Sequence, residues 1–285
     1  MTRINMGESV RARLHNIAKA QGSELDSLIV RFALERTLYR IGQSKYNKQF
    51  MLKGAMLFSL WYDMPHRPTR DMDLLGVGDS DLLAMQKTFQ EIISLPCDDG
   101  INFDSSSVTV VRILEMTAYS GVKVTIQGTL AKARCKVSID VGFGDAVTPG
   151  PIQSTYPTLI KDFPAPQLRT YPVYTVIAEK VHAIAFHGIR NGRMKDYLDL
   201  LVILERETLD KNILAKAVTA TFARRGSSMS ESIIGLSDEF ANDQSKQVMW
   251  NAFLKRNKLP EKTLPEVIKI LRQKLQPILN AAAVA

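Results

Sequence analysis

The chain has 285 residues, 45% of them hydrophobic, which is enough for one large or two modest globular domains. No apolar run approaches the roughly 18 residues that a membrane span needs, and the N-terminus lacks an apolar signal core, so we expect a cytoplasmic protein with no membrane partner. The two cysteines, Cys97 and Cys135, are too few for a disulfide framework or a zinc site, and we expect both to be buried.

The formal net charge of +8 is unevenly distributed. Residues 1–50 carry nine Lys/Arg and four acids, residues 177–285 carry seventeen and twelve, and residues 51–176 carry eleven and thirteen. Basic flanks around a slightly acidic centre favour a polyanionic partner, although solvated helix faces explain the same charges.

The first segment, 1–45, has the periodicity of helices between Val10 and Ile41. Val10, Leu14 and Ala18 share one face of the first helix. A second helix is expected to begin after Gly22, with Ser23 as its N-cap.

Residues 47–59 predict a short strand, a turn at Gly54 and a helix that ends near Tyr62. A loop with two prolines follows, from Asp63 to Arg70. A strand is predicted over Asp71–Val77, and Asp79 or Ser80 is expected to cap a helix that runs to Leu95.

Asp71 and Asp73 are the first candidate site residues. Side chains alternate along a strand, so both carboxylates point to the same face. Two adjacent carboxylates repel each other unless a cation lies between them, and Mg²⁺ bound to nucleotide phosphates meets that need. An isolated Asp-x-Asp is more often a solvated loop end or a helix cap, and the Gly54 turn at the right distance is what favours a metal site.

Three further strands, rich in Val, Ile and Thr, are predicted over Ser107–Glu115, Val122–Gly128 and Arg134–Phe143. The last contains Asp140. If this strand lies beside the Asp71 strand, Asp140 is a third metal ligand and can activate an attacking hydroxyl. The alternative is that Asp140 caps a turn before Gly142.

Residues 148–173 contain six of the twelve prolines and predict a rim loop or a connection between lobes. From Val173 onward the pattern is helical with short breaks. Trp61 and Trp250 are expected in the core.

Lys180 lies on an apolar helix that fixes its position, which suits charge neutralisation at a phosphate; a half-buried surface lysine is the alternative. Asp196 and Asp199 share a face of the next helix, where Asp196 can orient Lys180 or a metal-bound water and Asp199 is expected to be structural. Arg190, Arg193 and Lys195 form a basic edge suited to phosphate or to solvent.

Five motifs in order resemble the AbiEii family of nucleotidyltransferase-like toxins from type IV toxin–antitoxin and phage-abortive systems, over residues 10–205. They are the Gly54 turn, Arg67-Pro-Thr69-Arg70-Asp71-Met-Asp73, Ile139-Asp140-Val, Glu179-Lys180-Val-His-Ala and Arg193-Met-Lys195-Asp196-Tyr-Leu-Asp199. Residues 206–285 carry no recognisable motif.

The resemblance implies an α+β fold: a DNA polymerase β-like nucleotidyltransferase core of mixed sheet and helices, followed by an α-helical C-terminal lobe. The expected domains are N-terminal helices over 1–45, a nucleotidyltransferase domain over 46–172 and a helical domain over 173–285. It further implies a bacterial cytoplasmic enzyme that uses NTP with Mg²⁺ or Mn²⁺, and a separately encoded antitoxin.

By resemblance, Asp71 and Asp73 are metal ligands, and Lys180 and Asp196 are an essential pair on the helical side. Lys53, Gly54, Ala55, Thr69 and Arg70 are the implied nucleotide-binding residues. Related toxins have Gly-Gly or Gly-Ser at the turn, often followed by a hydroxyl residue, whereas Lys53-Gly54-Ala55 offers no hydroxyl.

The sequence and the resemblance together predict a metal-dependent nucleotidyltransferase toxin that adds nucleotides to RNA. The resemblance implies the 3′ acceptor end of tRNA as the substrate, with Arg190, Arg193 and Lys195 as RNA contacts. Two alternatives stay open. One is a transferase that acts on a protein or a small molecule, and the other is a module that binds nucleotide or nucleic acid without catalysis.

Overall fold

The structure is a computed structural model that describes residues 5–62, 69–113, 121–229 and 232–284. Residues 63–68 of the predicted loop from Asp63 to Arg70, which include Arg67, and the strand end at Glu115 lie outside these residues. The chain forms two compact units: residues 1–144 with 152–170, here called the sheet unit, and residues 145–151 with 171–285, here called the helical unit.

The sheet unit contains four helices and seven strands within its described part. In chain order they are α1 (Met6–Gln21), α2 (Leu25–Gln43), β1 (Phe50–Lys53), α3 (Met56–Tyr62), β2 (Asp71–Gly76), α4 (Leu82–Ile93), β3 (Ile101–Ile113), β4 (Gly121–Leu130), β5 (Ala133–Phe143), β6 (Ile152–Thr155) and β7 (Gln167–Thr170).

All seven strands form one mixed sheet in the order β3-β4-β5-β2-β1-β7-β6. The pairs β2–β5 and β1–β7 are parallel, and the other neighbours are antiparallel. Along β5 the residues Val137, Ile139 and Val141 are fully buried, and α2 packs against this strand. The alternate residues of β5, which include Asp140, therefore lie on the opposite face.

Helix α2 also buries charged groups that are paired with one another. Arg40 contacts both oxygens of Asp99, at 2.6 and 3.2 Å, and Arg36 donates to Asp99 at 3.2 Å. Glu35, which is 1% exposed, accepts a hydrogen bond from the Leu159 amide at 2.7 Å. Burial nevertheless raises the pKa of Glu35 to about 7, which makes it a group whose ionisation opposes folding.

The helical unit contains α5 (Val173–His187), α6 (Met194–Arg206), α7 (Lys211–Arg224), α8 (Asp238–Asn242), α9 (Gln244–Arg256) and α10 (Leu264–Val284). Helices α7 and α10 pack on α5 and α6, so residues 206–285 complete the core around the last recognised motif. Tyr197 stacks on Phe240, with ring centroids 5.3 Å apart, and Trp250 is 1% exposed. The described helices include none long and apolar enough to cross a membrane.

Two predicted helix caps are wrong. Ser23 does not cap α2, because its amide bonds to the Ala18 carbonyl in the turn that ends α1, and Glu24 stands at the N-cap. Asp81, rather than Asp79 or Ser80, caps α4 by accepting from the Ala84 amide at 2.8 Å.

The proline-rich segment is more ordered than the sequence suggests. It contains β6 and β7, and β7 pairs with β1 through Met51 and Leu52. Four-residue strands between prolines are too short to show alternation, so the sequence does not predict them. Two burial expectations also need correction, since Cys97 and Trp61 are partly exposed whereas Cys135 and Trp250 are buried.

Candidate active site

Strand β2 presents Asp71 and Asp73 on one face, because Met72 between them is fully buried on the other. Asp71 is exposed and Asp73 is half-buried. The hydroxyl of Thr69 donates to the Asp71 carbonyl at 3.1 Å, which holds the entry to the strand, and Arg70 beside it is exposed. Thr69 and Arg70, two of the implied nucleotide-binding residues, are thus adjacent to the carboxylate pair.

The turn after β1 lies directly against Asp73. Lys53 pairs across the sheet with Asp73, and Gly54 follows it with a φ of +72°. A Cβ on Gly54 would overlap the Asp73 carboxylate, so only glycine fits here, both for its φ and for the close approach. Ala55 is 8% exposed and begins the turn into α3. The Gly54 turn therefore shapes the space around Asp73.

Asp140 lies beside the pair, as expected if β5 neighbours β2. The two strands are parallel, with Asp73 opposite Asp140 and Asp71 opposite Ser138. Asp140 stands within β5, which continues to Phe143, so it is not the cap of a turn before Gly142. The three predicted carboxylates thus occupy one face of two adjacent strands.

Lys123 on β4 was not singled out in the sequence. It lies opposite Asp140 in the antiparallel β4–β5 pair, and its ammonium donates to the Asp140 carboxylate. Its Nζ is also 3.4 Å from Ser138 Oγ. A lysine in an alternating strand carries no motif, so only the register between β4 and β5 identifies this contact.

This face of the sheet fits a divalent cation. Carboxylate oxygens are the ligands that Mg²⁺ and Mn²⁺ prefer, and the absence of a side chain at Gly54 leaves the Asp73 carboxylate room. Within the described part of the chain, no group of three or more His, Cys, Asp or Glu side chains is arranged to hold a metal ion. The carboxylates of Asp71 and Asp73 are placed to hold a divalent cation. Asp140 lies beside them but is in contact with Lys123.

In the helical unit, Lys180 is bound between two acids of α6. Its Nζ lies 2.9 Å from Asp196 and 2.6 Å from Asp199, and Arg193 Nε lies 2.6 Å from Asp196. The side chains of Lys180, Asp196 and Asp199 are only 13%, 2% and 0% exposed. The predicted contact between Asp196 and Lys180 is present, and Asp199 belongs to the same network.

The charges of this network outweigh its burial. Burial by itself would lower the pKa of Lys180, but Asp196 and Asp199 hold it above its ordinary value. Burial would likewise raise the pKa of Asp196, yet Lys180 and Arg193 keep it below its ordinary value. Lys180 and Asp196 are therefore both charged at neutral pH, and Lys180 is an internal counter-ion rather than a flexible surface lysine.

The three predicted RNA-binding residues lie around the start of α6. Arg190 and Lys195 are exposed, and Arg193, which is 48% exposed, is held by Asp196. They form a basic edge on the surface of the helical unit, and the ion pair with Asp196 fixes Arg193 within it.

A second polar cluster surrounds His182 on α5, the histidine of the Glu179-Lys180-Val-His-Ala motif. Arg225 Nη1 lies 3.3 Å from His182 Nδ1, so Nδ1 accepts, and Nε2–H donates to Ser227 Oγ at 2.9 Å. Burial, together with the charge of Arg225, lowers the pKa of His182 to about 4. In this state His182 cannot take the Ser227 proton, so the pair is not an activated nucleophile.

Comparison with known proteins agrees with this geometry. A family model described as nucleotidyl transferase AbiEii toxin, type IV TA system, matches residues 36–273. The solved structure of MenT4, a nucleotidyltransferase toxin from Mycobacterium tuberculosis H37Rv, is similar at a TM-score of 0.57 and 14% identity, covering 96% of this chain and 98% of that chain.

JHP933 from Helicobacter pylori matches at a TM-score of 0.48 and 14% identity, over 88% of this chain and 90% of that chain. A comparison with curated proteins gives no match. The likeness to MenT4 shows a shared fold and confirms the predicted combination of mixed sheet and C-terminal helices. Because the family match spans most of the chain, from α2 to α10, this protein belongs to the AbiEii nucleotidyltransferase toxins of type IV toxin–antitoxin systems.

Proposed function

We propose that this toxin transfers nucleotides from a nucleoside triphosphate to the 3′ end of RNA, with the acceptor end of tRNA as its substrate, and so blocks translation. The RNA 3′-hydroxyl attacks the α-phosphorus of the triphosphate, a phosphodiester forms and pyrophosphate leaves. The enzyme acts in the bacterial cytoplasm, and its partner is an antitoxin encoded nearby.

The observation that carries this proposal is the carboxylate face of the sheet beside the Gly54 turn. Asp71 and Asp73 share that face, and the parallel register puts Asp140 next to Asp73. Nucleotidyltransferases of this kind use a divalent metal ion, here proposed to be Mg²⁺ or Mn²⁺, which neutralises phosphate charge and would be held by Asp71 and Asp73. Asp140 is the proposed third acid, and its contact with Lys123 limits the charge that it offers.

The remaining residues of the site bind and orient the triphosphate in this proposal. Lys53, which lies opposite Asp73 on β1, and Arg70, which directly precedes Asp71, supply positive charge, and Gly54 lets the backbone approach closely. Ala55 supplies no hydroxyl, so the phosphates rely on backbone and lysine contacts at this turn.

On the helical side, we propose that Asp196 orients Lys180 and that Lys180 neutralises phosphate charge. The support is the fixed position of the ammonium, bound at 2.9 Å to Asp196 and at 2.6 Å to Asp199. Arg190, Arg193 and Lys195 are the proposed contacts to the RNA backbone, which Lys and Arg bind mainly through charge.

The experiment that tests this function is a transfer assay with total tRNA, Mg²⁺ and each α-labelled NTP in turn. We expect label at the RNA 3′ end, and none on tRNA whose terminal diol has been oxidised with periodate. Asp71→Asn and Asp73→Asn should abolish transfer while the protein remains folded. Asp162→Asn is the matched control, because this acid of the same unit is 74% exposed and its ion pair with Arg13 is a surface contact.

The outcomes separate the alternatives. Label on protein rather than RNA would favour a transferase with a protein substrate, and nucleotide binding without any transfer would favour the non-catalytic module. Transfer to RNA that survives both Asp71→Asn and Asp73→Asn would refute the site.

A further inference from the structure

The charged face of the sheet contains more than its three acids. On four neighbouring strands, one residue of each strand lies directly opposite one residue of the neighbouring strand. Residues that lie opposite each other project to the same face of the sheet. In spatial order these are Lys123 on β4, Asp140 on β5, Asp73 on β2 and Lys53 on β1. We call these four residues the charged row. It has a lysine at each end, two acids between them and no net charge.

The contact at one end of the row is direct. Lys123 donates to the Asp140 carboxylate, and its ammonium also lies 3.4 Å from the hydroxyl of Ser138, which stands opposite Asp71. The side chains of Lys123 and Asp140 are 39% and 35% exposed. An ion pair this exposed to solvent contributes little to folding stability, so stability does not explain why it is built here.

Neighbouring strands are about 4.8 Å apart, which brings the acids of Asp73 and Asp140 close enough to repel each other strongly unless cations intervene. A tethered lysine supplies one positive charge without the cost of dehydrating a second metal ion. Lys123 thus stands where a second cation would otherwise be needed.

We propose that Lys123 takes the place of a second divalent cation at Asp140, so that the site holds a single metal ion through Asp71 and Asp73. This inference rests on the metal site of the proposed function. In the wild-type enzyme Asp140 is the partner of Lys123, and it becomes a metal ligand only when the ammonium is removed. Lys123 is therefore a positioning residue that sets the number of metal ions.

The test is a titration with Mn²⁺ alone, in which the electron paramagnetic resonance signal of free Mn²⁺ reports binding. Lys123→Met keeps the length of the side chain but removes its charge. We expect this variant to bind one additional equivalent of Mn²⁺, because the freed Asp140 carboxylate then becomes a ligand. Tighter binding with no additional equivalent would overturn the proposal, since the lost positive charge alone explains it. Lys123→Arg keeps the charge and should bind as the wild type does.

Lys136→Met is the matched control for a general loss of charge. Lys136 lies on the same face of β5 and is exposed, but it is four positions from Asp140, or about 13 Å along the strand. We expect its Mn²⁺ binding to equal that of the wild type. A gain in Lys136→Met as large as that in Lys123→Met would overturn the proposal, since it would reflect net charge alone.

A double variant shows whether the gain passes through Asp140. Lys123→Met combined with Asp140→Asn has the wild-type net charge, and we expect it to lose the additional Mn²⁺ binding. Unchanged binding in folded Lys123→Met, or a gain that survives in the double variant, overturns the proposal. Failure of Asp71→Asn to weaken wild-type Mn²⁺ binding would instead refute the proposed metal site itself, which keeps the two failures distinct.

Discussion

Replacement of Lys180 by Met tests what the buried network of the helical unit contributes. Among Lys180, Arg193, Asp196 and Asp199 the charges balance, and Lys180→Met leaves one net negative charge. Asp196 and Asp199 are 2% and 0% exposed, so water cannot replace the lost ammonium. Removal of one partner from a buried ion pair costs about 3–5 kcal/mol, and we expect a loss of that size in the free energy of unfolding.

The structure therefore changes the expectation that the sequence supports. A half-buried surface lysine would tolerate this substitution with little loss of stability, whereas a counter-ion between two buried acids does not. Loss of transfer in Lys180→Met would then reflect unfolding as much as catalysis. A second variant has to separate the two.

Lys180→Met combined with Asp199→Asn restores charge balance, because Arg193 remains paired with Asp196 at 2.6 Å. We expect the double variant to recover about 2 kcal/mol or more, since no uncompensated charge stays buried. A stable double variant that transfers nucleotide roughly 10²–10³-fold more slowly would show that Lys180 acts on phosphate. Removal of a preorganised charge from a transition state causes a loss of about that size.

The measurement can be confined to the helical unit. The chain has two tryptophans, Trp61 in the sheet unit and Trp250 in the helical unit. In a Trp61→Phe background, urea unfolding followed by the fluorescence of buried Trp250 reports only the helical unit. A urea midpoint in Lys180→Met equal to that of the parent would refute the structural reasoning.

Three further perturbations test the sheet unit and the substrate. Gly54→Ala should destabilise the protein by more than the roughly 1–2 kcal/mol that a left-handed alanine costs and should abolish metal binding, because its Cβ would also displace the Asp73 carboxylate. Gly22→Ala is the control for backbone strain alone, since Gly22 has a φ of +61° and open space around it; equal losses in both variants would contradict the clash. The pKa of Glu35 is raised from 4.5 to about 7 by burial, so the folded state keeps a proton that the unfolded state releases, and stability is lost as pH rises from about 4.5 to about 7. Glu35→Gln should remove that loss, so its free energy of unfolding relative to the wild type should rise by about 3 kcal/mol between these pH values. The same difference between variant and wild type in urea unfolding at pH 4.5 and at pH 7.5 would show the expectation to be wrong. RNA binding measured by filter retention should weaken on the order of 10³-fold between about 50 and 200 mM salt if several Lys and Arg contact phosphates, and an unchanged dissociation constant would point to a protein or small-molecule substrate.

Local features of this protein are determined by the sequence itself. The alternation of Met72 with Asp71 and Asp73 fixes their common face without any knowledge of the fold, because the two-residue period belongs to the strand. The helical spacing of Val10, Leu14 and Ala18 similarly predicts a buried helix face, and all three are 4% exposed or less.

The order of the strands was decided by tertiary structure. Asp140 meets Asp73 because β5 runs parallel to β2, and Lys123 meets Asp140 because β4 pairs with β5 in one particular register. A shift of one residue in either pairing would turn these side chains to the other face, and no residue on its own strand specifies the partner. The acids were therefore predictable as candidates, but their lysine partner was not.

The role of Lys180 shows the same division. Its position on an apolar helix and the i,i+3 spacing of Asp196 and Asp199 are properties of the sequence. That both acids reach the same ammonium, and that all three groups are nearly excluded from water, depends on how α5 and α6 pack together. Burial and charge partners arise from contacts between segments distant in the chain, so only the folded structure determines whether a lysine is a surface charge or an internal counter-ion.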